Sequence, residues 1–168
     1  RAQVHGVRTN RDLLVNVLRH PAFLDGDTDT AFFDTHGLAA LAAPLTSAPT
    51  ARLSAVAATI AQAEHNRAAA TVFTGMPSGW RNVRSGNQAK TFRADDTEHR
   101  VEYRFTRDGL VLPDDEGVRL VAASPGRVVL ADAAGAETAY EISRHADSVY
   151  VDSARGSVGF TVVARLVE

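Results

Sequence analysis

The 168-residue chain contains no cysteine, and only one methionine (Met76), one tryptophan (Trp80) and one lysine (Lys90). Without cysteine there is no disulfide, no zinc–thiolate centre and no thiol nucleophile. A strong charge of one sign is also missing. The net charge is -2, so neither half carries the polybasic footprint of a nucleic-acid binder. No signal peptide or targeting motif opens the chain, which leaves the cytosol as the default compartment. The chain starts at Arg1 rather than an initiator Met, as expected of a piece excised from something longer. Gly-x-Ser-x-Gly, Walker and dinucleotide-binding glycine patterns are all absent. The 45% hydrophobic and 23% charged composition fits a globular domain of ordinary size with an appendage.

What is present centres on an alanine-rich stretch, residues 50–73. Ala and Leu are the strongest helix formers, and between Arg52 and Gln62 no residue is charged. A surface helix carries one apolar stripe, whereas this one is small or apolar almost all round, the mark of a helix enclosed by protein. It is too polar at Glu64–Arg67 and too poor in large apolar residues to span a membrane. From residue 89 onward the period changes to strict alternation. Val101, Tyr103 and Phe105 share a face, as do Val128 with Leu130, Tyr140 with Ile142, Val149 with Val151, and Val158, Phe160 and Val162 with Ala164 and Leu166. Turn signals separate eight expected strands, about 89–94, 99–107, 110–113, 117–123, 127–132, 137–144, 147–152 and 157–167. Closing such a sheet on itself removes its edges. Its interior must then be filled, and a slender alanine helix fits if the strands are spread or partly open. The expected class is α+β: an eight-stranded antiparallel barrel around a long central helix, with a short helical N-terminal extension.

That extension, residues 1–37, reads as two short amphipathic helices. The first has Thr9 as N-cap and Asp12 completing a capping box, and it is stopped at His20-Pro21. The second runs from Thr28 to His36 with Gly37 at its C-terminal cap. Two such helices cannot form a core alone. Residues 38–49, rich in small residues and holding two prolines, read as a connector.

Asp25, Asp27 and Asp29 alternate like the start of a calcium loop. Thr30 stands where that loop needs glycine and His36 where it needs a bidentate acid, so turn and N-cap roles are expected. His5, His20 and His36 lack metal-ligand spacing and read as dispersed surface histidines or satisfied ones. The acid run Asp114-Asp115-Glu116 reads as a solvated hairpin tip. No nucleophile is paired with a base. The loop Met76, Pro77, Ser78, Gly79, Trp80, Arg81, Asn82, Val83 and Arg84 differs in kind: it joins Trp and Arg, the residue types that most often anchor interfaces, to backbone-shaping Pro77 and Gly79. Trp80 could instead plug one end of the barrel. It could also stack on a base, with Arg81, Arg84, Lys90 and Arg93 on phosphates. A barrel holding an apolar ligand is a further alternative, provided its interior is empty.

Two motifs carry a resemblance. The residues Gly6-Val-Arg-Thr-Asn-Arg-Asp-Leu-Leu14, His20-Pro-Ala-Phe23, Gly26 and Thr30-Ala-Phe-Phe-Asp34 resemble the C-terminal end of the biotin carboxylase domain in α subunits of biotin-dependent acyl-CoA carboxylases. The stretch Pro77-Ser-Gly-Trp-Arg-Asn82 resembles the motif that follows it in the BT domain of the propionyl-, methylcrotonyl- and related carboxylases. The resemblance implies a biotin carboxylase tail at 1–37, a linker at 38–49 and a BT domain at 50–168. Within the last it implies a helix at 50–73, a hook loop at 74–88 and a barrel at 89–168. It further implies that the hook, Met76 to Arg84, grips the carboxyltransferase β subunit. The other partners would be the biotin carboxylase and biotinyl carrier domains of the same chain, with no nucleic acid and no membrane. The parent enzyme would use biotin, ATP and Mg2+, whereas this stretch should hold no cofactor, no metal and no catalytic residue. Met76 and Lys90 stand fourteen residues apart, so the Met-Lys-Met of a biotinylated carrier cannot occur.

Overall fold

The computed structural model describes residues 3–7, 9–72, 75, 86–107 and 109–164. The chain forms two compact units, 1–47 and 48–168.

The N-terminal unit contains four short helices: α1 (Arg11–Arg19), α2 (Pro21–Leu24), α3 (Phe32–His36) and α4 (Leu38–Leu41). The expected capping box is not made. Asn10 occupies the N-cap of α1 without a side-chain cap, while the Asp12 carboxylate accepts the Leu45 N–H at 3.1 Å. Asn16 donates to the carbonyls of Leu41 and Ala43 at 2.9 and 3.0 Å. Two polar side chains of α1 thus satisfy the chain at 41–45 instead of their own helix end. Pro21 stops α1 as expected and also starts α2 as its first residue, where its missing N–H costs no bond. The helix expected at 28–36 is shorter. Asp29 Oδ1 takes the Ala31 N–H at 2.9 Å, a local turn that competes with helix and delays α3 to Phe32. Gly37, at φ 78, closes α3 as expected. The connector is not structureless, because α4 lies within it.

The second unit opens with α5 (Ala48–Ala69). Pro49 lies in its first turn, where proline is tolerated. Every residue from Ser54 to Ala61 is buried. The helix ends four residues before Phe73, so the expected boundary at 73 is corrected to Ala69. Eight strands follow: β1 (Gln88–Ala94), β2 (Thr97–Thr106), β3 (Gly109–Val111), β4 (Arg119–Ala123), β5 (Arg127–Ala131), β6 (Glu137–His145), β7 (Ser148–Ser153) and β8 (Gly156–Val163). They form one antiparallel sheet in the order β3-β2-β1-β8-β7-β6-β5-β4. Its two end strands, β3 and β4, approach each other without a hydrogen-bonded ladder, so the barrel is nearly closed. Ala164 lies beyond β8, which ends at Val163.

Inside this barrel runs α5, packed against β2, β4, β5, β6, β7 and β8. The inward residues are those the alternation picked out: Val101, Tyr103, Val128, Leu130, Tyr140, Ile142, Val149, Val151 and Phe160 all join the helix in one core. An eight-stranded barrel ordinarily leaves room only for side chains. Here the alanines keep the helix thin and the β3–β4 gap lets the ring widen. Among the described residues no helix is long and apolar enough to cross a membrane.

Candidate docking site

The residues singled out for docking, Met76, Pro77, Ser78, Gly79, Trp80, Arg81, Asn82, Val83 and Arg84, lie outside the described residues. What is described is the frame on either side of them. The end of α5, from His65 to Ala69, is exposed and reaches past the enclosed part of the helix. Its polar side chains are paired along the helix: Glu64 with Arg67 at 2.6 Å, and Gln62 with Asn66 at 2.6 Å. Such i,i+3 and i,i+4 pairs support a helix end that packing no longer holds. On the return side, Asn87 donates to Glu102 at 3.2 Å, and the Tyr103 hydroxyl donates to Gln88 Oε1 at 3.2 Å. Burial raises the Tyr103 pKa above its ordinary value. The chain on the near side of this segment is thus the exposed end of the axial helix, and on the far side it enters β1 beside β2.

The barrel interior offers no alternative site. Ala55, Val56, Ala57, Ile60 and Ala61 have no exposed surface. A small cavity bordered by Leu53, Tyr140, Asp132 and Arg155 has a volume of about 10 Å3, room for a single water at most. The Tyr140 hydroxyl is buried there without a hydrogen-bond partner, and burial raises its pKa. Beside it, Asp132 accepts the Ala134 and Ala136 N–H groups at 3.1 and 3.0 Å and the Arg155 guanidinium at 3.1 Å. The Ala136 N–H, then Arg155, hold the Asp132 pKa below its ordinary value. A barrel filled by its own helix cannot take up an apolar ligand. Of the cations proposed for phosphates, Arg93 is already paired with Glu98 at 2.7 Å.

One expectation about the remaining polar residues is corrected. Asp115 is not at a solvated tip. Its side chain is 8% exposed, and it receives both Nε and Nη2 of Arg52 at 2.9 and 2.6 Å. The Asp115 bond raises the Arg52 pKa against the opposing effect of burial. One signal for this pair stood in the sequence: Arg52 is the only charged residue between Thr50 and Ala63, and an ion on an enclosed helix needs a partner. Of the N-terminal histidines, two are packed together rather than spread over the surface. The rings of His20 and His36 lie 4.3 Å apart, both in contact with Phe32. Residues sixteen apart in an irregular stretch give no periodic signal. Among the described residues no cluster of three or more His, Asp or Glu could hold a metal. Asp29 plays the turn role expected of it.

With this geometry in place, two likenesses to known proteins are informative. The family model described as "Methylcrotonyl-CoA carboxylase, alpha-subunit, BT domain" matches residues 49–165. A pyruvate carboxylase 1 from Caenorhabditis elegans is 53% identical over 34 residues, which make up 20% of this chain and 3% of that protein. The chain thus spans a small fraction of the length of that curated relative.

Proposed function

The chain belongs to the BT-domain family of methylcrotonyl-CoA carboxylase α subunits, and from that premise we propose that it is a non-catalytic docking module of a biotin-dependent carboxylase. It holds the α subunit onto the carboxyltransferase β subunit, so that carboxybiotin can travel between two active sites held at a workable distance. The observation that carries this reading is the filled barrel. Since α5 occupies the interior, any work must be done at the surface, and the segment leaving the exposed end of α5 is the one that carries Trp80 and Arg81.

Two further assignments rest on the same reading. Residues 1–37 are the tail of a biotin carboxylase domain, 38–49 a linker and 50–168 the docking domain. Biotin, ATP and Mg2+ then serve the parent enzyme outside this stretch. Support for the tail assignment comes from Leu14, Leu18, Phe23, Leu24 and Phe33, all exposed, as expected of helices whose apolar faces need a partner.

Titrating the chain against the carboxyltransferase β subunit tests the docking role. Trp80→Ala and Arg81→Ala should each weaken binding by about 2–4 kcal/mol, the size of interface hot spots, at unchanged melting temperature. Loss of folding in Trp80→Ala would make that residue a core plug, and unchanged affinity in both variants would remove the loop from the interface.

A further inference from the structure

Seven of the eight junctions around the barrel are backbone ladders, as the strand order shows. The eighth, between β3 and β4, is bridged by the segment 112–118 that links these two strands. This segment is held at five residues. Leu112 is buried in the core and Val118 packs against it. Asp115 takes the bidentate Arg52 guanidinium, whose remaining nitrogen, Nη1, donates to the carbonyl of Arg100 in β2. Asp114 stands 3.9 Å from the same guanidinium. Gly117, at φ +85, lies so close to the β5–β6 turn that a Cβ there would stand 2.8 Å from the Ala133 Cβ.

Arg52 thus joins three parts that no ladder connects: the axial helix, the edge of β2 and the bridging segment. The Arg100 carbonyl lies beyond the three-residue β2–β3 ladder, which begins at Arg104, so the guanidinium serves a strand edge that β3 is too short to cover. Elsewhere the wall is held by main-chain bonds that exchange only when strands separate. At this seam the polar link among the described residues centres on one side chain, Arg52, which is 25% exposed and whose main partner Asp115 is 8% exposed.

We propose that the segment 112–118 is a strap closing the barrel across its unpaired seam, with Arg52–Asp115 as its latch, so that the barrel opens locally between β3 and β4 before it unfolds as a whole. Local opening of this kind has a lower free energy than global unfolding and exposes less surface. Its consequence is that α5 can be uncovered from one side while β7 and β8, on the opposite side of the ring, stay closed on it.

The absence of cysteine allows a thiol-labelling test on the whole chain. Ser54→Cys reports on the helix next to the latch, and Val151→Cys on the opposite wall; both positions are fully buried. Local opening requires that Cys at 54 label faster than Cys at 151, with a weaker urea dependence. Adding Asp115→Asn should accelerate labelling at 54 by about tenfold, the effect of losing a partly exposed ion pair. Adding Val149→Ala, which loosens the far wall, should accelerate labelling at 151 and leave 54 unchanged. Should Asp115→Asn fail to fold, Arg52→Lys breaks the bidentate geometry while keeping the charge, with the same outcome expected. The proposal is overturned if both thiols label at one rate with one urea dependence and Val149→Ala accelerates both alike. It is equally overturned if Phe92→Cys, at the three-residue β1–β8 ladder, labels faster than Cys at 54.

Discussion

The two units of the chain treat their apolar side chains in opposite ways. In the barrel unit, residues 48–168, large apolar side chains from Val56 to Phe160 converge on one continuous core, most with almost no exposure. Among the described residues of the N-terminal unit only Phe32 and Leu41 are buried hydrophobics, while Val4, Val7, Leu14, Leu18, Phe23, Leu24, Phe33 and Leu38 are exposed. Helix α1 is amphipathic yet buries no residue. The difference teaches that secondary structure and a core are separate achievements. The first needs local sequence, whereas the second needs a second layer, which the barrel finds in its own helix and residues 1–47 do not have.

Paired substitutions sharpen this contrast. Ile60→Ala, in the middle of the enclosed helix, should destabilise the barrel by about 3 kcal/mol, because the closed wall cannot collapse onto the space left. Leu18→Ala on α1 should change the melting temperature little, since Leu18 is already 55% exposed. Thermal melts of both variants make the comparison, and equal losses would erase it. A smaller effect is expected where the 112–118 segment meets the β5–β6 turn. Gly117→Ala should cost about 1–3 kcal/mol in a chemical denaturation series, through a strained positive φ and overlap with Ala133. A neutral result would mean that the 112–118 segment is free to move aside.

The smallest effect is electrostatic. His99, on the inward-facing side of β2, has its pKa lowered by burial and then by the Arg52 charge. Its unfolded form therefore binds the proton more readily than its folded form. The stability this contributes is complete above the ordinary histidine pKa of about 6.5 and is lost as pH falls through and below it. His99→Gln should flatten the pH dependence of barrel stability on that acid side. An unaltered slope would show that another group governs it.

Much of the barrel was legible from local pattern. Strand alternation located all eight strands, and an uncharged alanine run marked a helix that had to be enclosed. What escaped depended on distant partners or on short-range competition. Asp115 looked solvated because acidic turns usually are, and its partner lies 63 residues away. The Thr9–Asp12 capping box failed because Asp12 found the Leu45 N–H instead. Short α2 and α4 carry too few turns for a periodic signal. The residues proposed for docking, Met76 to Arg84, stand out in the sequence as a motif and lie outside the described residues.

The claim at the centre of this account is that residues 48–168 are complete in themselves and carry the docking function. Truncation to 48–168, followed by thermal melting and titration against the carboxyltransferase β subunit, tests it most directly. The account predicts one cooperative transition and an affinity within about twofold of that of the full chain, as expected of a unit that has its own core. Loss of the cooperative transition, or of binding with the transition intact, would contradict it.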